Sequence, residues 1–342
     1  MRYVEQMRVK IRTLPFVLLV LCVACGETAA TDAGTGGNGT GGMGGNGAGG
    51  TGGNGAGGTF VPPEGSFTVK WGPATVAPGT ESTQCVVKRI GNTDSISVHE
   101  IHNVLGATSH HFIVYRVDDQ VERPEPYPCA PFTDTLNDPP LIITQRADDR
   151  LTLPEGVAYT VGPNQMIRLE LHYINVSAAP QTAEATSTFI PMAADQVEQE
   201  ADVMFMGDTN IVIPPMSEVT LGPSFIQVPA RFQGVSYFAI TGHEHQWGTN
   251  VSVEVAEDSG APGSPVYEVP NFRWDEPATV TYDPPFTVPD GGGFKLTCEW
   301  NNRSNDTVFF GTSVDDEMCF FWAYYFPSRG PLVCANGLFG CL

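Results

Sequence analysis

The stretch Arg168-Leu169-Glu170-Leu171-His172-Tyr173-Ile174-Asn175 alternates, with Leu169, Leu171 and Tyr173 on one side and His172 on the other. A period of two is the mark of a strand with one face turned to a core. Working outward, Phe112-Ile113-Val114-Tyr115, the run from Ile167 to Ile174, Val251-Ser252-Val253-Glu254-Val255 and Val308-Phe309-Phe310 are further short apolar runs. They are separated by clusters of Pro, Gly, Asn and Asp, and read as sandwich strands. With 28 prolines and many Val, Thr and Phe, the composition favours strands and turns over long helices, so the chain is read as all-β. Its 342 residues, 41% hydrophobic and 10% aromatic, suffice for two domains that each bury a core. A segment rich in Ala, Gln and Glu between Ala193 and Asp202 breaks the strand rhythm. It sets an expected boundary near residue 196, between domains 60–195 and 196–342.

A formal net charge of −21 with only 17 Lys and Arg excludes nucleic acid as a partner, because phosphate binding needs a basic surface. The N-terminus carries Arg2, Arg8, Lys10 and Arg12, followed by an apolar run from Leu14 to Ala24. That run is too short to span a membrane and reads as an export signal over residues 1–25. Its end, Cys22-Val23-Ala24-Cys25-Gly26, resembles the bacterial lipobox, with Cys22 where Leu is usual. Cys25 is the expected lipid anchor, on a bacterial outer membrane or cell surface, with simple secretion as the alternative. Residues 26–59 are almost purely Gly, Thr, Asn and Ala, and Gly-Gly-Asn-Gly-Ala-Gly-Gly-Thr runs twice from Gly44 to Thr59. Such a linker cannot bury a core and spans roughly 30 to 35 Å, enough to hold a domain clear of a membrane. Six further cysteines, Cys85, Cys129, Cys298, Cys319, Cys334 and Cys341, imply disulfides in an exported chain, with 15 possible connectivities. No C-x-x-C pair among them supports a zinc site.

The seven histidines are His99, His102, His110, His111, His172, His243 and His245. In Thr241-Gly242-His243-Glu244-His245-Gln246-Trp247, strand period two projects both imidazoles from one face, where a single metal ion can take both. The spacing does not name the metal, since zinc sites use it too. His110 and His111 are adjacent, which on a regular strand sends them to opposite faces. Sharing an ion requires a bulge, a strand end or coordination through different ring nitrogens. His172 alone reads as an ordinary polar strand residue, and Met318 in Asp315-Asp316-Glu317-Met318-Cys319 as a core methionine. As a ligand, however, a thioether suits Cu(I) far better than Zn(II), and two imidazoles plus a thioether point to copper. His99 and His102, three apart, fall on opposite faces and read as structural or surface residues.

Taken together, four segments resemble the copper type II, ascorbate-dependent monooxygenases, the family of peptidylglycine α-hydroxylating monooxygenase and dopamine β-monooxygenase. In family order they are His110-His111-Phe112-Ile113-Val114-Tyr115, Leu171-His172-Tyr173, His243-Glu244-His245-Gln246-Trp247-Gly248 and Asp316-Glu317-Met318-Cys319, and the resemblance spans most of residues 65 to 330. It implies two tandem jelly-roll-type β-sandwich domains and two copper ions per chain. His110, His111 and His172 would hold the electron-donating copper; His243, His245 and Met318 would hold the oxygen-activating one. It also implies a disulfide between Cys298 and Cys319, directly after the ligand methionine. Cys85 with Cys129 would brace the loops around the histidine pair, which leaves Cys334 with Cys341.

Phe112 stands where the family has Met, and Glu244 where it often has Thr; neither change removes a ligand. The substrate side departs further, with Thr241, Phe320 and Trp322 where the peptide-amidating enzyme has Arg, Asn and Tyr. Without that arginine there is no bidentate partner for a peptide carboxylate, so peptidylglycine is not the expected substrate. In the aromatic run Phe320, Phe321, Trp322, Tyr324 and Tyr325, alternation lets Phe320 and Trp322 line a pocket beside Met318, for an apolar or aromatic small molecule. The expected activity is hydroxylation of an sp3 C–H bond with O2 and electrons from ascorbate or a similar reductant, by a monomer that meets a membrane only through its anchor. Two other readings stand beside it: a surface copper-binding protein without turnover, and a zinc hydrolase built on His243 and His245. No Gly-x-Ser-x-Gly or His-Glu-x-x-His motif is present.

Overall fold

The computed structural model describes residues 60–132, 135–338 and 340–342. The export signal, Cys25 and the Gly-rich linker lie outside the described residues. As expected, the chain is all-β; among the described residues the helical elements are two three-residue 3-10 turns, Ala194–Gln196 and Ala230–Phe232.

The first sheet runs β1 (Phe67–Val76), β10 (Gln181–Met192), β3 (Ile96–Leu105), β8 (Val157–Val161) and β11 (Gln199–Glu200), with β7 (Asp148–Thr152) also on β3. The second runs β5 (Arg123–Pro128), β2 (Thr80–Arg89), β9 (Met166–Asn175), β4 (Ser109–Val117) and β6 (Pro140–Thr144). Their inner faces pack together: Trp71 of β1 lies 5.8 Å, ring to ring, from Tyr173 of β9 and donates its indole N–H to the Gln84 carbonyl of β2. Leu169, Leu171 and Tyr173 enter this core, and His172 lies on the opposite face, as the alternation predicts.

The third sheet runs β18 (Thr279–Phe286), β15 (Ser236–His243), β21 (Phe320–Phe326), β12 (Asp202–Asp208), β22 (Leu332–Asn336) and β23 (Gly340–Cys341). The fourth runs β14 (Ser217–Gln227), β19 (Gly293–Asn302), β16 (Gly248–Ala256) and β17 (Ser264–Glu268), and a two-stranded ribbon joins β13 (Val212–Ile213) to β20 (Val308–Phe309). Strands ending at or before Glu200 pair among themselves, and so do those from Asp202 onward.

The aromatic run on β21 is buried because its sheet is covered on both faces. Phe321, Ala323 and Tyr325 join the core shared with the fourth sheet, and Phe321 meets Phe294 at 5.1 Å. Phe320, Trp322 and Tyr324 join the core of the first two sheets. Each such fully buried aromatic contributes roughly 2 to 3 kcal/mol of apolar burial. The two-sided burial welds the halves along a seam, where the Ile143 N–H of β6 donates to the Tyr324 hydroxyl at 3.0 Å. Three disulfides are present: Cys85–Cys129 and Cys298–Cys319, which the resemblance implied, and Cys334–Cys341, the pair it left over.

Candidate metal centre

His111 of β4 pairs directly with His172 of β9, but the register slips between Ser109 and His111, leaving His110 as an extra residue on β4. This bulge resolves the awkward adjacency in the sequence, because an inserted residue re-aims its side chain and lets two consecutive imidazoles serve one site. Ring nitrogens of His110, His111 and His172 all lie within 4.8 Å of one another. Their ring centroids are 4.8 Å apart for His111 and His172, 5.2 Å for His110 and His172, and 5.6 Å for His110 and His111. All three are buried, and Trp274 packs on His110 at 5.4 Å.

Burial without polar partners sets their chemistry. Nε2 of His110, both ring nitrogens of His111 and Nδ1 of His172 are buried with no hydrogen-bond partner. Leaving such groups unsatisfied costs about 1 to 3 kcal/mol each, an arrangement that makes sense for donors meant for an ion. Desolvation lowers all three proton affinities: His111 to about 4, His172 to about 2 and His110 well below the ordinary range, with neighbouring histidine charge adding to the effect at His110 and His172. Neutral imidazoles are the form a metal takes. His172 Nε2 donates to Glu81 Oε1 at 2.9 Å, which leaves Nδ1 as its free nitrogen. Glu170, two residues before His172 on the same face, has an oxygen 3.8 Å from His111 Nε2. It accepts from the Tyr115 hydroxyl at 2.8 Å, and burial pushes its carboxyl up to about 7.

The second group differs from the expectation in one respect. β15 stops at His243, and His245 lies just beyond the strand rather than on it. The two rings still converge, with centroids 5.1 Å apart. His243 Nδ1 donates to Gln145 Oε1 at 2.6 Å, and His245 Nδ1 donates to the Asp316 carbonyl at 3.1 Å. Both contacts reserve Nε2, and in His243 that atom is buried and unpartnered. Desolvation brings His245 down to about 4 and His243 well below the ordinary range. Charge on His110, His111 or His172 lowers His243 further, so the two groups lie within electrostatic reach of each other. Glu244 accepts from the Glu299 N–H at 3.1 Å, and burial pushes its carboxyl well above the ordinary range.

Met318 is buried and joined to His245 through Glu317. Glu317 Oε2 accepts from the His245 N–H at 2.9 Å, the Trp300 indole N–H at 2.9 Å and the Met318 N–H at 3.2 Å, and Oε1 accepts from the Trp247 N–H at 2.7 Å. One carboxylate thus fixes the backbone of two candidate ligands, and the Cys298–Cys319 bridge pins the next residue.

The three residues expected to line a substrate pocket take different places. Phe320 lines a cavity with Met318, but Thr241 and Trp322 are not in its wall. Thr241 is buried against β18, its hydroxyl 2.8 Å from that of Thr279. Trp322 is consumed by the seam, stacked near Phe205 and 6.0 Å from the His243 ring. His99 and His102 stand apart as structural residues, bonded to the Val157 carbonyl and to Asp148. A second grouping, Cys85, Cys129 and Glu170, offers no thiolate because its cysteines are bridged. Sequence reading missed Glu81, Gln145, Glu170 and Glu317. Of these, Glu170 and Glu317 lie within two residues of the candidate ligands His172 and Met318 and were findable; Glu81 and Gln145 carry no local signal.

An all-β chain with two buried groups of neutral imidazoles, one of them linked through Glu317 to a buried methionine, has side chains of the kind that hold a transition metal. Residues 199–338 match the C-terminal domain of copper type II ascorbate-dependent monooxygenases, the family that the motifs resemble. Among solved structures, the major capsid protein P2 of bacteriophage PM2 is 9% identical, covering 78% of this chain and 99% of its own at a TM-score of 0.32. A tail fiber protein, gp63.1, of an E. coli phage is 7% identical, covering 78% of this chain and 35% of its own at a TM-score of 0.15. Neither likeness is close enough to carry an argument.

Proposed function

We propose that the protein is a copper-dependent monooxygenase that hydroxylates an sp3 C–H bond of a small molecule other than peptidylglycine. One oxygen atom of O2 enters the substrate and the other leaves as water, with two electrons and two protons from ascorbate or a similar reductant. The observation that carries the reading is the set of five buried histidines of lowered proton affinity, four of them with an orphaned ring nitrogen, gathered within electrostatic reach of one another. His110, His111 and His172 would hold one ion; His243, His245 and Met318 would hold the other. We take residues 60–195 and 196–342 as the two domains that carry them.

When bound, copper supplies one-electron redox chemistry and the activation of oxygen. The chain supplies pre-set ligands. Glu81, Gln145 and the Asp316 carbonyl choose which ring nitrogen of His172, His243 and His245 is free, as outer hydrogen bonds do at metal sites. Burial keeps the rings unprotonated and excludes water, and the soft thioether of Met318 favours the reduced ion.

The test is metal analysis of wild type and Met318→Ala, with ascorbate-driven oxygen uptake and product analysis alongside. Two copper ions per chain in the wild type, one in the variant, and loss of hydroxylated product in the variant are expected. Zinc in place of copper, or activity unchanged in Met318→Ala, overturns the reading; two tightly held coppers with no product from any substrate leave a copper-binding protein without turnover. We also place the protein outside the cytoplasm, tethered through lipid on Cys25, which motivates a check for fatty-acid labelling that is lost in Cys25→Ser.

A further inference from the structure

A cavity of about 410 Å³ opens beside Met318 and lies within the size range of small-molecule sites. Its wall combines Pro131, Phe132 and residues 135–137 of the first half with residues of β12, β21, β22 and the chain around Phe310. Aromatic rings pack along the wall: Phe205 is stacked on Phe320 with centroids 4.9 Å apart and an interplanar angle of 21°, and Phe132 lies 5.0 Å from Phe205. Gly207 permits this, since a Cβ there would overlap the Phe320 ring.

The lining contains no Asp, Glu, Lys, Arg or His among the described residues; Thr135, Asn137 and Thr312 are its polar side chains. Thr135 spends its hydroxyl proton on the Phe132 carbonyl at 2.8 Å. A carboxylate or ammonium group entering here would lose its hydration without gaining an oppositely charged side chain. At the mouth, Leu338 and Leu342 are 60% and 51% exposed, on the hairpin closed by Cys334–Cys341. Both line the cavity, so its apolar wall continues out to the solvent-facing rim.

From these observations we infer that the cavity beside Met318 is the substrate site and takes an uncharged, predominantly apolar aryl or alkyl molecule. The inference rests on the copper-monooxygenase reading for what happens to that molecule, and on the cavity alone for its chemical class. Met318 belongs both to the wall and to the candidate ligand set, so a bound C–H bond lies beside the second metal position.

Ethylbenzene, phenylacetate and phenethylamine are a matched neutral, anionic and cationic set. Calorimetric titration of the copper-loaded chain is expected to show ethylbenzene binding at least about tenfold tighter than either charged analogue, because only it enters without an unpaired charge. Leu338→Asp, at an exposed rim position that the fold does not depend on, is expected to weaken ethylbenzene by about tenfold on the same ground. Equal or tighter binding of phenethylamine or phenylacetate, or an unchanged ethylbenzene affinity in Leu338→Asp, overturns the inference. Oxygen uptake with the same compounds separates the two levels. Ethylbenzene binding with no oxygen consumption supports the ligand class and overturns the monooxygenase reading; turnover of a charged analogue with no ethylbenzene binding supports that reading and overturns the ligand class.

Discussion

Glu317 is the residue whose alteration tests the second metal position most directly. It is fully buried, accepts four N–H donors, and is pushed up to about 7 by burial, against the pull of those donors. In Glu317→Gln the amide oxygen can replace Oε2, which serves His245, Trp300 and Met318, but the amide nitrogen then faces the Trp247 N–H. One hydrogen bond to a charge-bearing group is lost and two donors oppose each other, a cost of about 2 to 3 kcal/mol. In Glu317→Ala all four donors are orphaned, and at about 1 to 3 kcal/mol each the loss is at least about 4 kcal/mol. Urea unfolding of the metal-free proteins should therefore rank wild type, Gln and Ala in that order. Copper stoichiometry should fall at the Met318 position in both variants while His110, His111 and His172 keep their ion. If Ala is as stable as Gln, or if both variants keep full copper at Met318, Glu317 is not the anchor of this site.

Acidity gives a second handle. Three imidazoles with ordinary proton affinity would cost a metal about a thousandfold in apparent affinity between pH 7.5 and 5.5, since each is about nine-tenths protonated one unit below 6.5. With His111 at about 4, His172 at about 2 and His110 well below normal, Cu(II) titrations should change by less than about threefold over that range. The same rings protonate in the unfolded chain below 6.5 but not in the fold, so their contribution to metal-free stability, present above 6.5, is lost as pH falls toward about 4. The rate is about 1.4 kcal/mol per pH unit per ring. Glu170 and Glu317, raised to about 7, act in the opposite sense, stabilising below 4.5 and losing that contribution as pH rises to 7; urea midpoints across pH 4 to 8 measure the balance. Gln145→Leu removes the acceptor that holds the His243 Nδ1–H, and should lower copper affinity at that position by about 10- to 100-fold, the usual cost of an outer hydrogen bond. Competition with a chelator reads it, and an unchanged affinity means that Gln145 does not set the tautomer.

Strand content and core faces were legible wherever one face was buried, because alternation then maps directly onto side: Leu169 and Leu171 went in, His172 out. On β21 the pattern was uniformly aromatic, and only the tertiary structure shows that its two faces belong to two cores. The candidate ligands were legible as residue types in order. What set them in place was not, because Glu81 reaches His172 across 91 residues and Gln145 reaches His243 across 98. Trp322 was ambiguous for a related reason: an aromatic ring on this strand serves equally as pocket wall or as mortar between halves, and here it stacks near Phe205 in the core shared with the first two sheets.

The bulge at His110 separates the fate of the site from the fate of the sheet. Removing that one residue would restore an unbroken ladder from Ser109 to Val117 and take an imidazole with it, while Phe112, Val114 and their neighbours kept their pairing. A lineage carrying this architecture can therefore gain or shed a three-histidine tripod through a single in-frame codon, with the hydrophobic interior left as it was.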